Sequence, residues 1–344
     1  MIDFRYHVVS IVAVFLALTV GLVLGASFLS KAQIQFLNGQ ITSANNAKNR
    51  LETKQRTLTT DNQHLSDYID GTKNNLVSNQ LFNDAVVVVR ASGYSQDHVA
   101  ATLALAKQAS ATITADITIN PTFADSSSVA SLQQLVADFA PRGQPIPGGD
   151  PQTQAVNLLV EALTAQGTTT SAFAGSASAS SSPSPSSTPT TMTPSWAVKT
   201  LQEFKNIGVI SVTTMPTATN ALKPTAAFIA APEASQPDTQ NALYVSLAQA
   251  LHTADVGTVI GGAAPDAGTG GVISAVLKNA TAAKTVATVD DMDETIGQVA
   301  VVFVLYNESN NGSAPAGHYG MTGITDGLLP KLPNLPPVPS PSAS

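Results

Sequence analysis

No charged side chain occurs in the 23 residues from Val8 to Ser30, VVSIVAVFLALTVGLVLGASFLS. At 1.5 Å per residue a helix of that length reaches roughly 34 Å, enough for a hydrocarbon core of about 30 Å. A cleavable signal peptide is the rival reading. Its apolar region usually runs about 7 to 15 residues, behind a stronger positive segment than Arg5 supplies. Residues 1–30 therefore read as an uncleaved transmembrane signal anchor. Arg5 and Lys31 nearly balance the charge across it, so the positive-inside bias is small. The short N-terminal tail favours an N-in, single-pass protein at the cell membrane, with the bulk of the chain outside the cytoplasm.

Inside the span, Ala13, Ala17, Gly21 and Gly25 recur every fourth residue on one helical face. Gly21 and Gly25 form a GxxxG, which lets two helix backbones approach where no hydrophobic effect drives association. Behind the span the apolar residues adopt a seven-residue beat. Position a falls on Ile34, Ile41, Lys48, Gln55, Asn62, Ile69 and Leu76; position d falls on Leu37, Ala44, Leu51, Leu58, Leu65, Thr72 and Asn79. Leucine at d with isoleucine at a favours two parallel strands, and a polar a residue such as Asn62 sets register at a cost in stability. The expectation is a parallel homodimer, with residues 31–82 as its coiled-coil stalk. A long amphipathic helix packed on its own head domain is the other reading.

The remaining chain changes texture. Ala85–Arg90 is an unbroken β-branched run, the mark of a strand buried on both faces. Strands over 112–119, 208–213, 226–231, 256–261 and 285–289 alternate with helices over 96–110, 127–140, 150–166, 196–206, 239–254, 271–280 and 295–307. Such alternation implies a parallel sheet. Residues 167–194 are almost entirely Ser, Thr, Ala, Pro and Gly and cannot bury a core, so they read as a disordered insertion. Neither flank, 83–166 or 195–329, has enough strands for a sheet of its own. The fold class is therefore α/β: one doubly wound, Rossmann-like parallel-sheet domain interrupted by a loop insertion, with a Pro-rich tail over 330–344.

With 23 acidic against 16 basic residues the net charge is −7, which argues against a nucleic-acid partner. There is no cysteine, hence no thiolate site and no disulfide. Gly261–Gly271 is glycine-rich between a strand and a helix, but it matches neither G-x-G-x-x-G nor a Walker A, and an ordinary turn is the better reading. Asp290, Asp291, Asp293 and Glu294 could hold a hard cation; capping of the helix that follows is the stronger reading. Neither G-x-S-x-G nor H-E-x-x-H occurs, so nothing argues for a hydrolase, and no catalytic or cofactor residues are assigned. Among five histidines and five methionines only His318 and Met321 lie close together. They are the candidate soft-ligand pair, with plain packing of their loop as the alternative.

The opening MIDFRYHVVSIVAVFLALTVGLVLGASFLS, the heptads behind it and the late Gly317-His-Tyr-Gly320 together resemble the actinobacterial MctB family, named for a mycobacterial copper transport protein. The resemblance implies a cell-envelope protein of copper homeostasis, with copper as the transported ion, acting as an outer-membrane channel. Relatives in corynebacteria look like division proteins that contact a peptidoglycan hydrolase through the coiled coil. A dimeric scaffold regulating such a hydrolase is thus the alternative to copper transport. A head-domain enzyme using the glycine-rich loop is a third reading, with no acid, base or nucleophile set behind it.

Overall fold

The structure is a computed structural model that describes residues 4–140, 146–165, 194–216, 222–310, 315–322 and 326–330. The Ser/Thr/Pro insertion and the Pro-rich tail fall almost wholly outside the described residues. Two compact units are present, 1–67 and 68–344. The first is helical: α1 runs unbroken over Phe4–Val77. Among the described residues it contains one stretch long and apolar enough to cross a membrane, Arg5–Gly25, with a mean hydropathy of 2.7 and none of it buried.

The second unit holds a seven-stranded sheet in the order β3-β2-β1-β4-β5-β6-β7. Its strands are β1 Ala85–Arg90, β2 Thr112–Ile119, β3 Ile210–Thr214, β4 Ala226–Ala230, β5 Gly257–Gly261, β6 Ala287–Val289 and β7 His318–Tyr319. Segments on both sides of the insertion share this sheet, as expected from the scarcity of strands in either half. The helices are α2 Gln96–Gln108, α3 Val129–Phe139, α4 Pro151–Thr164, α5 Pro194–Asn206, α6 Asp238–Thr253, α7 Val272–Lys278, α8 Ala282–Thr285 and α9 Thr295–Asn310. Local chemistry starts them where it should: Ser95 accepts from the His98 amide at the head of α2, and Asp150 from the Thr153 amide ahead of Pro151 in α4. The Thr153 hydroxyl and amide hold the Asp150 carboxyl below its ordinary pKa.

Strand β1 shows why its sequence is an apolar run. Val87 and Val89 enter one core with Leu158, Phe204, Tyr244 and Ile273 of the helices α4 to α7. Val86 and Val88 enter the other, with Leu103 of α2, Phe303 of α9 and the end of the stalk, Val77 and Leu81. Both faces are covered, so no position can be polar without a partner.

Two features correct the doubly wound expectation. Strand β3 is antiparallel to β2, with Ile117 opposite Val212 and Ile119 opposite Ile210. It lies at the sheet edge and is reached through α3, α4 and α5; period-two alternation does not encode strand direction, so the pattern leaves the antiparallel pairing open. Second, α9 connects β6 to the next strand outward yet packs on the α2 face, while α6 and α7 pack on the opposite face. The β6-α9-β7 crossover therefore has the opposite hand to β4-α6-β5. Position, more than pattern, makes α9 so apolar: residues Gly297 to Leu305 are all buried between sheet and α2, and four of these nine are valines. Valine's modest helix propensity is overridden by burial on every side.

The stalk's last turns belong to the head. Asn79 and Asn83 take left-handed conformations that end the helix, the Ser110 hydroxyl donates to Asn79 Oδ1 at 2.8 Å, and the Leu81 amide donates to Ala109 O at 2.8 Å. At the start of α9 the Thr295 hydroxyl donates to Asp70 at 2.8 Å. Lys73 first, then Thr295, holds the Asp70 carboxyl below its ordinary pKa.

Candidate functional site

In open α/β sheets ligands settle outside the carboxyl ends of the strands, where strand order reverses. Here that point lies between β1 and β4, and it is stitched shut. The Ala91 amide donates to Ala230 O and the Glu233 amide to Gly93 O, each at 2.9 Å. Farther along the same edge, Ala231 donates to Gly261 O, Gly262 to Val289 O and Met292 to Gly262 O. Backbone donors that a phosphate would need are spent between loops.

Arg90 closes the end of β1. Its Nε donates to Asp116 Oδ1 at 2.8 Å, its second nitrogen pairs with the other Asp116 oxygen, and its guanidinium sits 5.2 Å from the Tyr94 ring centre. Burial pulls the Arg90 pKa down, but the bonds to Asp116 and Tyr94 outweigh it and the net shift is upward. An aspartate inside the apolar run Thr112–Ile119 was the available sequence signal for such a partner. No local pattern marks the contact of His98 Nδ1 and Glu233 at 3.6 Å across the closed crevice, since the two residues lie far apart in the chain.

The glycine-rich loop is a turn that closes on itself. Residues Ala264–Ala267 form a short 3-10 helix, and Asp266 Oδ2 accepts from the Ala263 amide at 3.0 Å. Gly262 and Gly271 are required because a Cβ on either would overlap Asp266, the first its carboxylate and the second its backbone. Burial, reinforced by the charges of Glu233 and Asp293, pushes the Asp266 carboxyl up to about 7.

The acidic run divides in two. Asp293 and Glu294 are exposed just before α9, where negative charge suits the positive end of the helix. Asp290 and Asp291 are buried. Asp290 gathers amides from the last loop: Met321 at 2.8 Å, and Thr322 at 3.0 Å. Burial still raises its pKa against those bonds. Both Asp291 oxygens are enclosed without a hydrogen-bond partner, and burial, followed by the charge of Asp290, lifts the group to about 6. Among the described residues, no three His, Cys, Asp or Glu side chains come together as a metal site would require.

The candidate soft-ligand pair is not brought together for coordination. His318 is buried, with Nε2 at 2.9 Å from Ala283 O and Nδ1 at 3.0 Å from the Thr288 hydroxyl. A carbonyl can only accept, so Nε2 carries the proton, and in the neutral ring Nδ1 accepts from Thr288. Both ring nitrogens are occupied, and the His318 amide donates to Asp326 at 2.8 Å. Met321, by contrast, is 57 % exposed. In this structure the imidazole serves as a structural cross-brace. The consequence is measurable. His318→Ala strands the buried Thr288 hydroxyl and the half-buried Ala283 carbonyl and should cost about 2–3 kcal/mol, while Met321→Ala should stay within about 0.5 kcal/mol. Chemical denaturation of the detergent-solubilised protein compares them; equal losses would refute the assignment.

The helical positions stand open. Around Gly21 and Gly25 nothing lies within 4 Å of where a Cβ would be, and Ala13 and Ala17 are exposed beside them. Ile34, Leu37, Ile41, Leu51, Leu58, Asn62 and Leu65 are likewise exposed on the single chain. Ile69 is half-buried, and Leu76 is 42 % exposed beside the fully buried Val77.

Comparison with known proteins bears on nearly all of this chain, the N-terminal apolar stretch included. The family model described as "Copper transport outer membrane protein, MctB" matches residues 1–330. The chain belongs to the MctB family. Proteins named "Copper transporter MctB" from Mycobacterium tuberculosis and Mycobacterium bovis are each 27 % identical to it over 324 residues, covering 93 % of this chain and 96 % of theirs. One of that name from Mycobacterium leprae is 29 % identical over 136 residues, 40 % of this chain and 43 % of its own. Within the MctB framework the Gly317–Gly320 loop acquires a physical meaning. Gly317 leaves room for the Tyr319 ring, His318 braces β6, and Gly320, at φ +135°, lies against the Asp290 carboxylate.

Proposed function

We propose that this MctB-family protein is a membrane-anchored envelope component of copper homeostasis, contributing to copper transport out of the cell. The match over residues 1–330 to a copper transport family, with relatives so named along 93 % of the chain, carries this reading. Copper is the cargo. The apolar stretch Arg5–Gly25 supports a single-pass anchor.

A lipid-spanning path requires several helices or a closed barrel, because every backbone polar group must be satisfied away from water. Among the described residues one helix is long and apolar enough to cross, and it does neither alone; the described strands form an open sheet covered on both faces. The protein therefore acts with other helices. The open face of Ala13, Ala17, Gly21 and Gly25 and the exposed heptad leucines favour a second copy, in a parallel homodimer held by a coiled coil. No catalysis is assigned to the head.

A deletion strain tests the proposal. Without the protein, cell copper measured by mass spectrometry should rise at least about twofold and growth on copper should fail. The wild-type chain should restore both, and a chain carrying Gly21→Leu and Gly25→Leu should not. Unchanged copper accompanied by chained, unseparated cells would overturn this reading in favour of a role in cell separation.

A further inference from the structure

At the amino ends of β4 and β5, away from the edge described above, the head carries an open-mouthed cavity of about 490 Å³ lined by Lys223, His252, Asp255, Thr285, Glu308 and Ser309, among others. Its size is that of small-molecule sites. The last turns of α6 and α9, helices of 16 residues each, both end on it. Helix C-termini present the negative end of the backbone dipole, so the cavity is biased toward positive charge before any side chain is counted.

The side chains reinforce that bias. Lys223 is engaged with Asp255 at 3.4 Å. Glu308 is half-buried, and no basic side chain pairs with it among the described residues. Its backbone is pressed against Gly257, where a Cβ would overlap the Glu308 carbonyl, so the last turn of α9 packs directly on the start of β5. The other groups facing it are His252 from α6 and Tyr319 from β7, whose phenol feels the Glu308 charge. Hydroxyls of Thr285 and Ser309 offer acceptors to an N–H donor, while Val256 and Pro224 supply apolar wall for a short methylene chain.

We propose that this cavity binds a small aliphatic ammonium compound, its cationic nitrogen on the Glu308 carboxylate. An organic cation suits it better than a metal, since no cluster of three ligating side chains lies there. Burial brings the Glu308 carboxyl to about 7, so an empty site takes up a proton near neutrality and a cation displaces it.

Titration calorimetry of the full-length protein in detergent, with 1,4-diaminobutane as the probe and 1-butanol as the neutral control, tests this. At pH 8 the diamine should bind saturably at one site per chain and the alcohol should not. Affinity should drop at least about fivefold at pH 6, as Glu308 takes its proton, and at least about tenfold in Glu308→Gln at pH 8. Circular dichroism verifies that the variant is folded. If it is not, His252→Lys, which brings a competing cation to the rim, should give the same loss. Absence of saturable diamine binding, equal binding of the alcohol, or wild-type affinity in the folded variant would each overturn the proposal.

Discussion

Gly320→Ala should be among the most damaging single methyl groups that can be added to the head, lowering stability by roughly 3–5 kcal/mol. Two costs combine. Gly320 sits at φ +135°, a region closed to residues with a Cβ, and holding alanine there costs on the order of 1–3 kcal/mol. The new methyl would also land on the Asp290 carboxylate. That buried carboxylate accepts the amides of Met321 and Thr322, and pushing it aside costs about 1–3 kcal/mol more. Denaturant unfolding followed by circular dichroism is the measurement. The loss should appear together with early proteolysis of the segment after α9, because the Asp290 bonds and the His318 brace secure that segment to β6. Gly327 provides the comparison. It too has positive φ, +109°, but nothing lies within 4 Å of its would-be Cβ, so Gly327→Ala should cost only the backbone strain. Equal losses at the two glycines would refute the carboxylate contact as the cause.

The second large effect concerns pH. Asp266, raised from 3.8 to about 7 by burial, binds a proton in the folded chain that the unfolded chain has already released. Between about pH 4 and pH 7 the native state holds more protons than the unfolded state, so stability falls as pH rises and levels off above about 7. A shift of roughly three units at about 1.4 kcal/mol each sets an upper scale of roughly 4 kcal/mol. Asp266→Asn keeps an oxygen to accept from Ala263 while removing the ionisation. At pH 8 the variant should be more stable than the parent by roughly 2–4 kcal/mol, and at pH 4 the two should coincide. Asp291, at about 6, and Glu308, at about 7, add slopes of the same sign. The head is therefore expected to be most stable in mildly acid solution. A gap that is the same at both pH values would sink the argument.

Much of the fold is legible in the sequence. Strands β1 and β2 occupy the expected residues, because an unbroken β-branched run and a turn on each side leave few alternatives. The single sheet shared across the insertion followed from too few strands on either side. The direction of β3 did not, since a strand's residues are the same whichever way it runs. The two-residue strand β7 was invisible for a different reason: its pairing comes from the His318 brace and the Asp290 turn, neither of which has a local signature. The acidic run was read as a helix entrance, which describes Asp293 and Glu294 but not the buried Asp290 and Asp291.

By itself, the sequence determined that the chain opens with a helix apolar enough to cross a membrane and that its head alternates strands with helices around one mostly parallel sheet. The reason is that uncharged length, heptad spacing and β-branched runs are properties of neighbouring residues. Only the tertiary structure decided that the glycine-rich loop is closed by Asp266, that His318 is a brace, and that Glu308 lines a cavity against Gly257. Each of these depends on partners 3 to 51 positions away, from Ala263 and Asp266 to Gly257 and Glu308, brought together by the packing of two cores. Burial then sets the charge state, and no stretch of sequence carries its own burial.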